Sequence, residues 1–222
     1  KSVNVVLGYT NQTVSYELIG TVGYIKISAF YKNTLNQLEK AVDQLKKEGA
    51  KSLVFDVRST YDGTIEYTCR VIDYLVPTAT EGNKALATLV DKNDNNVKTY
   101  SSDAKDITMP MAVLINSDTA GYGELFACDL KDFGKAFLIG EKTAGRADVQ
   151  ETFELSDGGA VVLTTSKMLP YISESFDGKG LTPDTEIILA DSLRENLSTL
   201  EKDRDTQLQA AISMLAGNSS EG

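Results

Sequence analysis

The sequence predicts a layered α/β domain whose central sheet contains largely parallel strands. Short apolar runs typical of buried strands occur at Val22–Ser28, Ser52–Val57 and Met111–Ile115. Between the first two and after the second lie stretches with apolar side chains at helical spacing, at 34–49 and Thr64–Val76. Strands that alternate with helices are joined by crossover connections, and such connections pair parallel strands.

The ends of the predicted helices carry recognisable signals. Thr34, with Gln37 three residues later, resembles a capping box, and Gly49 stands where a C-terminal cap is expected. Pro77 stops the second helix. Two of the remaining strands flank a turn of sequence Ser-Asp-Gly-Gly. The same patterns predict strands at Ala85–Val90, Val97–Tyr100, Ala136–Ile139, Val149–Leu155 and Ala160–Thr165, and helices at Gly121–Phe133 and Thr206–Leu215.

The chain divides into three parts by its patterning. Residues 1–19 contain two short alternating runs, Val3–Leu7 and Thr13–Leu18, which predict a hairpin too small to fold alone. Residues 20–216 form the predicted core and residues 217–222 a polar tail. The sequence has no run of 18 apolar residues and no signal-peptide pattern, so we expect a piece of a longer protein whose targeting segment lies elsewhere.

The composition excludes several kinds of partner and catalytic site. The 22 basic and 32 acidic residues give a net charge of −10, which repels phosphate backbones and argues against a nucleic-acid partner. The chain has no histidine, which excludes a Ser-His-Asp triad, a Cys-His pair and a histidine-ligated metal site. We predict no metal and no cofactor. Cys69 and Cys128 lack CxxC spacing and are predicted to be buried thiols, with a disulfide left open.

Four motifs rich in glycine and polar residues follow predicted strands. In parallel α/β sheets, the turns that lead from a strand into a helix are where sites usually gather. The four motifs are Phe55–Gly63, Val113–Leu125, Gly140–Gln150 and Gly178–Asp184.

In their order and spacing, these motifs resemble those of the carboxy-terminal processing (tail-specific) peptidases, which are serine–lysine proteases. The family motifs read roughly LDLRNNPGG, VNxxSASASE, GExTxGKGxxQ and GKGxxPD. Residues 23–30 and 205–211 also match the family's GYIRIxxF strand and DxQLxxA helix. The resemblance covers about residues 22–216 and implies a peptidase core of the ClpP/crotonase-like type. It also implies that residues 1–19 are a remnant β-hairpin from a preceding PDZ domain.

The resemblance places the family's nucleophilic serine on Gly121 and its lysine base on Arg146, with the family's offset of 25 residues. The supporting glutamine falls on Gln150, and the oxyanion hole would use backbone N–H groups near Gly63 and Tyr122. Glycine has no nucleophile, and a guanidinium stays protonated and cannot act as a base. The resemblance therefore implies a peptidase fold without an intact catalytic dyad.

Three functions stay open on this basis. The first is an inactive homologue that binds a peptide or protein C-terminal segment through the old cleft. The second is an active peptidase with a relocated dyad, built from Lys142 and either Thr119 or Ser117. The third is a module for small apolar ligands, as in the interphotoreceptor retinoid-binding modules, which resemble this core. The candidate cleft residues are Asp62, Thr119, Arg146 and Gln150.

Each candidate residue also has a structural interpretation. Thr119 and Ser117 are expected to hydrogen-bond the backbone of their own turn. Arg146 is expected either in an ion pair with Asp62, Glu141 or Asp148, or in a bidentate contact with a ligand carboxylate. Because family members are usually exported or membrane-tethered, the resemblance implies an extracytoplasmic location. A homo-oligomer stays open.

Overall fold

The structure is a computed structural model that describes residues 11–77, 85–102 and 107–218. The strands are β1 Val14–Ile19, β2 Val22–Ile27, β3 Ser52–Asp56, β4 Ala85–Val90, β5 Asn96–Ser101, β6 Met111–Ile115, β7 Ala136–Gly140, β8 Asp148–Glu154, β9 Ala160–Leu169 and β10 Thr185–Glu186. The helices are α1 Thr34–Glu48, α2 Ile65–Leu75, α3 Tyr122–Asp132, α4 Asp191–Arg194 and α5 Thr206–Asn218.

A six-stranded sheet forms the centre of the fold, in the order β1-β2-β3-β6-β7-β10. The pairs from β2 to β10 are parallel, and only β1 at the edge runs antiparallel to its neighbour. This arrangement confirms the predicted layered α/β core with largely parallel pairing. The carboxyl ends of β3 and β6 are adjacent, so the turns that follow them meet.

Helices cover both faces of this sheet, because side chains along each strand alternate between two cores. Ile25 and Phe55 point into the larger core, which also contains apolar side chains of α1, α2 and α3. Tyr24 and Val54 point to the other face, where Leu208 and other residues of α5 close a smaller core. The sheet is therefore the middle of three layers.

A second, antiparallel sheet has the order β5-β4-β9-β8. The predicted strand at Ala160–Thr165 extends to Leu169, because its last residues, Lys167–Leu169, pair with β4. Among the described strands, the rest of β9 pairs with β8 alone. The β8–β9 hairpin therefore continues beyond the end of β4 as a two-stranded arm.

The beginning of the described chain belongs to the central sheet. β1 pairs with β2 along its whole length, from Val14 opposite Ile27 to Ile19 opposite Val22. The other predicted run of this region, Val3–Leu7, lies outside the described residues. The assignment of residues 1–19 to a PDZ hairpin stays a prediction.

The predicted capping box at Thr34 and Gln37 does not form. Asn33 occupies the N-cap position of α1, and the Thr34 hydroxyl accepts the Tyr31 N–H at 2.9 Å. The Gln37 side-chain oxygen instead accepts the N–H groups of Thr13 and Val14, at 2.9 and 3.0 Å. The polar residues of the motif therefore bind the segment that leads into β1, a partner more than 20 residues away in sequence that local spacing does not reveal.

Candidate active site

Two strand-to-helix turns form the base of the candidate site. The turn after β3 and the turn after β6 are tied together by the Ala120 N–H, which donates to the Thr60 carbonyl at 3.1 Å. Asn116, which is buried, accepts the Ser59 N–H at 2.8 Å and donates to the Ser59 hydroxyl at 3.1 Å. Ser59 has a φ of 61°, a backbone conformation that is uncommon for a residue with a side chain. The two turns thus form one rigid surface.

Gly121, the predicted equivalent of the nucleophile, is the N-cap of α3. Its backbone angles are φ 54° and ψ −111°, which residues other than glycine rarely adopt. A Cβ atom at this position would lie 3.6 Å from the Tyr61 carbonyl and 3.7 Å from the Arg146 carbonyl. The site therefore has room for a side chain, although the backbone conformation disfavours one.

Glu124 connects the turn at Gly121 to the loop that carries Arg146. Its side chain is fully buried in the first turn of α3. The carboxylate accepts the N–H groups of Gly121 at 3.0 Å, Gly145 at 2.7 Å and Arg146 at 2.8 Å, and also the hydroxyl of Thr143. One carboxylate thus fixes both loops through backbone amides, with no contribution from the side chains at positions 121 and 146.

Sequence reasoning did not identify Glu124 as a site residue. The available signal was an acidic residue three positions after the N-cap glycine and directly before a short apolar run, which is the offset of a capping interaction. The additional bonds to residues 143–146 join segments about 20 residues apart, and the sequence pattern gives no indication of them.

The Arg146 side chain is exposed, and within the described ranges it makes no ion pair. Of its predicted partners, Glu141 instead pairs with Arg194 at 3.2 Å, and Asp62 accepts the hydroxyl of Tyr31. The predicted structural ion pair is therefore not formed, and the guanidinium keeps its donors available to a ligand.

The predicted oxyanion region is altered at one of its two donors. The Gly63 N–H donates to the side-chain Oδ1 of Asp62 at 2.8 Å, so this predicted oxyanion donor already has a carboxylate as its acceptor. Gly63 itself is required by packing, since a Cβ atom there would lie 2.6 Å from the Phe30 carbonyl. In the described chain the Tyr122 N–H, at the first position of α3, meets no acceptor. Burial, with the nearby Tyr100 and Asp62, raises the pKa of the Tyr122 phenol.

Three of the four predicted cleft residues, Asp62, Thr119 and Gln150, are not among the residues that line the cavity over the two turns. Thr119 is fully buried, and its hydroxyl donates to the Val57 carbonyl at 3.0 Å and accepts the Asn116 N–H at 3.1 Å. The bond from Asn116 agrees with the structural interpretation of Thr119, whereas the bond to Val57 reaches the segment after β3, and together they leave the hydroxyl unavailable to a ligand. Gln150 is exposed on β8 opposite Thr164, next to an irregularity in the strand register.

A cavity of about 400 Å³ lies over the two turns, and we call it the cleft. It brings Arg146 and Asp118, which carry opposite charges, to the same opening. The cleft residues are Ser59, Tyr61, Ser117, Asp118, Ala120, Ala144 and Arg146. Lys142 is exposed and is not among them, so the geometry does not support a dyad of Ser117 and Lys142. The lining mixes polar and apolar surface and carries two charged side chains, whereas a site for an apolar small molecule is lined mainly by apolar side chains.

A buried ionic network supports the turn after β3 from below. The Arg58 guanidinium donates to Asp56, Asp205 and Gln207, with its shortest bonds, at 2.7 Å, to the two carboxylates. Burial opposes ionisation of Asp56, but the charge and hydrogen bonds of Arg58, with the Tyr24 hydroxyl at 2.6 Å, lower its pKa overall. Burial and the Asp56 charge raise the pKa of Tyr24.

Cys69 and Cys128 are free and buried, as predicted for two apolar thiols. Burial raises the pKa of both thiols, with the charge of Asp129 adding to the effect at Cys69 and that of Asp132 at Cys128. Neither thiol therefore provides a replacement nucleophile.

Among the described residues, no group of three or more acidic or cysteine side chains could hold a metal ion. No helix in the described ranges has the length and apolarity needed to cross a bilayer.

The fold and the arrangement of turns define a layered peptidase core, and comparison with known proteins identifies the family. A model of peptidase family S41 matches residues 21–187. The carboxyl-terminal-processing protease of Picosynechococcus sp. is 29% identical over 195 residues, which are 87% of this chain and 45% of that protein. The protease of the same name from Synechocystis sp. is 28% identical over 89% of this chain and 44% of that protein.

Solved structures agree with this result. The photosystem II D1 C-terminal processing protease superposes with a TM-score of 0.70 at 26% identity, covering 81% of this chain and 49% of that one. The chain belongs to peptidase family S41, that of the C-terminal processing proteases. It spans less than half the length of the curated relatives it matches.

Proposed function

We propose that this chain is a catalytically inactive member of the S41 family that binds a peptide or protein C-terminal segment in the cleft. The observation that carries this proposal is the Glu124 anchor. It holds the two catalytic loops together, while position 121 has no side chain and position 146 carries a guanidinium. The frame of the site is thus intact without its nucleophile and base.

The cleft chemistry supports recognition of a chain terminus. Arg146 lines the cleft, is exposed and has no carboxylate partner in the described part of the chain. A guanidinium with free donors binds a carboxylate bidentately, and a peptide C-terminus supplies one. The Tyr122 N–H at the start of α3 lies at the positive end of the helix dipole and adds to the preference for an anion.

The loss of catalysis has two physical causes in this proposal. Without a side chain at position 121, no acyl-enzyme can form. With Asp62 on the Gly63 N–H, one of the two oxyanion donors faces a negative charge. Because members of this family are usually exported, we also propose an extracytoplasmic location for this chain.

Peptide binding without cleavage is the test. A fluorescent peptide of about ten residues with a free C-terminus is titrated with the protein, and binding is followed by anisotropy. We expect saturable binding, roughly tenfold weaker for the C-terminally amidated peptide and for Arg146→Gln, and no cleaved product by mass spectrometry. Lys142→Gln, which removes an exposed cation outside the cleft, is the matched control and should bind normally.

Two results would contradict the proposal. Turnover that disappears in Thr119→Ala or Lys142→Ala would reveal a relocated dyad. Equal affinity for the free acid and the amide would remove the C-terminal carboxylate from the recognition.

A further inference from the structure

The arm, which we define as residues 150–166 of the β8–β9 hairpin, has an apolar face that the core does not cover. Phe153, Leu155, Val162 and Leu163 are 43% to 57% exposed, and none of them belongs to either hydrophobic core. Register places Phe153 opposite Val161 and Glu151 opposite Leu163, so Phe153, Leu155, Val161 and Leu163 share one face with Glu151 beside them, whereas Val162 lies on the other face. Exposed apolar residues grouped on one element mark an interaction surface.

The two edges of the arm differ in charge. The β8 strand carries Glu151 and Glu154, and charged side chains on an edge strand prevent it from pairing with another strand. The β9 strand has no charged residue from Ala160 to Ser166, and it is rich in β-branched residues. In the described chain, β4 pairs with β9 only from Lys167 onward, so this uncharged edge has no strand partner.

We propose that this chain forms a two-fold symmetric dimer by antiparallel pairing of the uncharged β9 edges of two copies. The uncharged stretch is centred on Leu163, and pairing about this residue places Leu163 opposite its own symmetry mate. Val162 then faces Thr164 of the other copy, and Val161 faces Thr165. The result is a four-stranded sheet, β8-β9-β9-β8, with the acidic β8 strands on the outside.

Pairing of two β9 strands brings no charged side chains together, whereas pairing of two β8 strands does. Two antiparallel β8 strands would bring glutamates of both copies together, and like charges across a strand pair are destabilising. Two β9 strands meet without any charge and continue the apolar face of each arm into that of the other. This surface is separate from the cleft, so the inference goes beyond the proposed function and does not depend on it.

The dimer is expected to be weak and to be strengthened by salt. Pairing of one short strand from each copy buries less than the ~1,600 Å² of a standard interface. Each copy also carries a net charge of −10, whose repulsion is screened as the ionic strength rises.

Sedimentation velocity from about 10 to about 500 µM, a range that covers weak association, tests the proposal. We expect the wild-type chain to move from monomer toward dimer, at lower concentration in high salt. Leu163→Lys and Leu163→Glu should each weaken association roughly tenfold or more, because each places like charges opposite one another. An equimolar mixture of the two variants should dimerise, because opposite charges then meet across the two-fold axis.

Thr152→Lys is the matched control, since it adds the same lysine to the acidic β8 strand of the arm and should leave the dimer intact. Circular dichroism checks that each variant is folded. A wild-type chain that stays monomeric throughout the range overturns the proposal. So do Leu163 variants that remain dimeric, or a mixture of the two that stays monomeric.

Discussion

At the scale of single residues, Gly121 has no nucleophilic side chain, although its surroundings leave space for one. Its positive φ is a conformation that costs a residue with a Cβ about 1–3 kcal/mol. The atoms nearest to a Cβ placed on this backbone would lie at ordinary van der Waals distance. A serine is therefore strained at this position but not blocked.

This geometry predicts that catalysis is recoverable in steps. Gly121→Ser with Arg146→Lys restores the two reacting groups, and we expect weak hydrolysis of an unstructured fluorogenic peptide. Adding Asp62→Gly frees the Gly63 N–H, and since one oxyanion donor is worth about 10²–10³ in rate, kcat should rise by roughly that factor.

Asp62→Gly in the wild-type background is the control and should produce no activity. If the triple variant is as inactive as the wild type while folded, the cleft has changed in more than these three positions. Measurement of kcat and KM separately distinguishes lost chemistry from lost binding.

Substitution of Glu124 is expected to change stability, because its hydrogen bonds hold two loops together. Glu124→Gln keeps the shape but loses acceptor capacity for buried N–H groups, and we expect a loss of about 2–4 kcal/mol in the free energy of unfolding. Urea denaturation measures it. Glu151→Gln, at an exposed position, should leave stability unchanged. Equal stability of the Glu124 variant would show that the anchor is not needed to hold the two loops.

At the scale of elements, the predicted helices and strands of the core agree with the structure because their periodicity directly reflects burial. The helix predicted over Thr64–Val76 is α2, Ile65–Leu75, with Thr64 as its N-cap. The site was less predictable, since its contacts join separate segments. Three sets of hydrogen bonds depend on the direction of a side chain, which composition and spacing do not encode. They are the bonds of Gln37 to residues 13 and 14, of Glu124 to residues 143–146, and of Asp62 to the N–H of Gly63.

The α3 helix also contains a buried carboxyl group, Asp129, whose ionisation is energetically unfavourable. Asp129 is fully buried, accepts the Tyr171 N–H at 3.0 Å with one oxygen, and has no described partner for the other. Burial raises the pKa of this carboxyl well above its usual range. The folded state therefore binds this proton more tightly than the unfolded state does.

This shift predicts a stability that falls as pH rises. The contribution of Asp129 is complete below the unfolded pKa of about 3.9 and is lost as pH rises toward the folded value. Asp129→Asn should remove this dependence and raise the melting temperature at pH 8 by several degrees relative to wild type. Thermal melts across pH test it, with the exposed Asp43→Asn as control. A variant less stable than wild type at pH 8 would contradict the expectation.

At the scale of the whole molecule, the Arg58 network joins the central sheet to the C-terminal helix. Arg58 follows β3, whereas Asp205 and Gln207 lie at the start of α5, almost 150 residues later. Asp205 also accepts the Leu208 N–H at 3.1 Å and so caps the helix. The layer formed by α5 and the turn that supports the cleft are therefore mechanically connected.

The Arg58 network makes the stability of the fold decrease at acid pH. Because the folded pKa of Asp56 is lowered, its contribution is present above the unfolded value of about 3.9 and is lost as pH falls below it. Tyr24→Phe removes one hydrogen bond to Asp56 and should cost about 0.5–1.5 kcal/mol at neutral pH. It should also move acid unfolding to higher pH.

Acid titrations followed by circular dichroism measure this, and Tyr16→Phe on the exposed side of β1 is the matched control. An unchanged acid midpoint in Tyr24→Phe would separate this hydroxyl from the ionic network.

The Glu124 anchor has a consequence for the history of such a protein. Because a carboxylate and backbone amides hold the loops, selection for the fold does not require the serine or the lysine. Substitutions at positions 121 and 146 can accumulate while the cleft is inherited with its shape. Under the proposed function, such a lineage exchanges cutting a chain end for holding one, and the return requires changes at positions 62, 121 and 146.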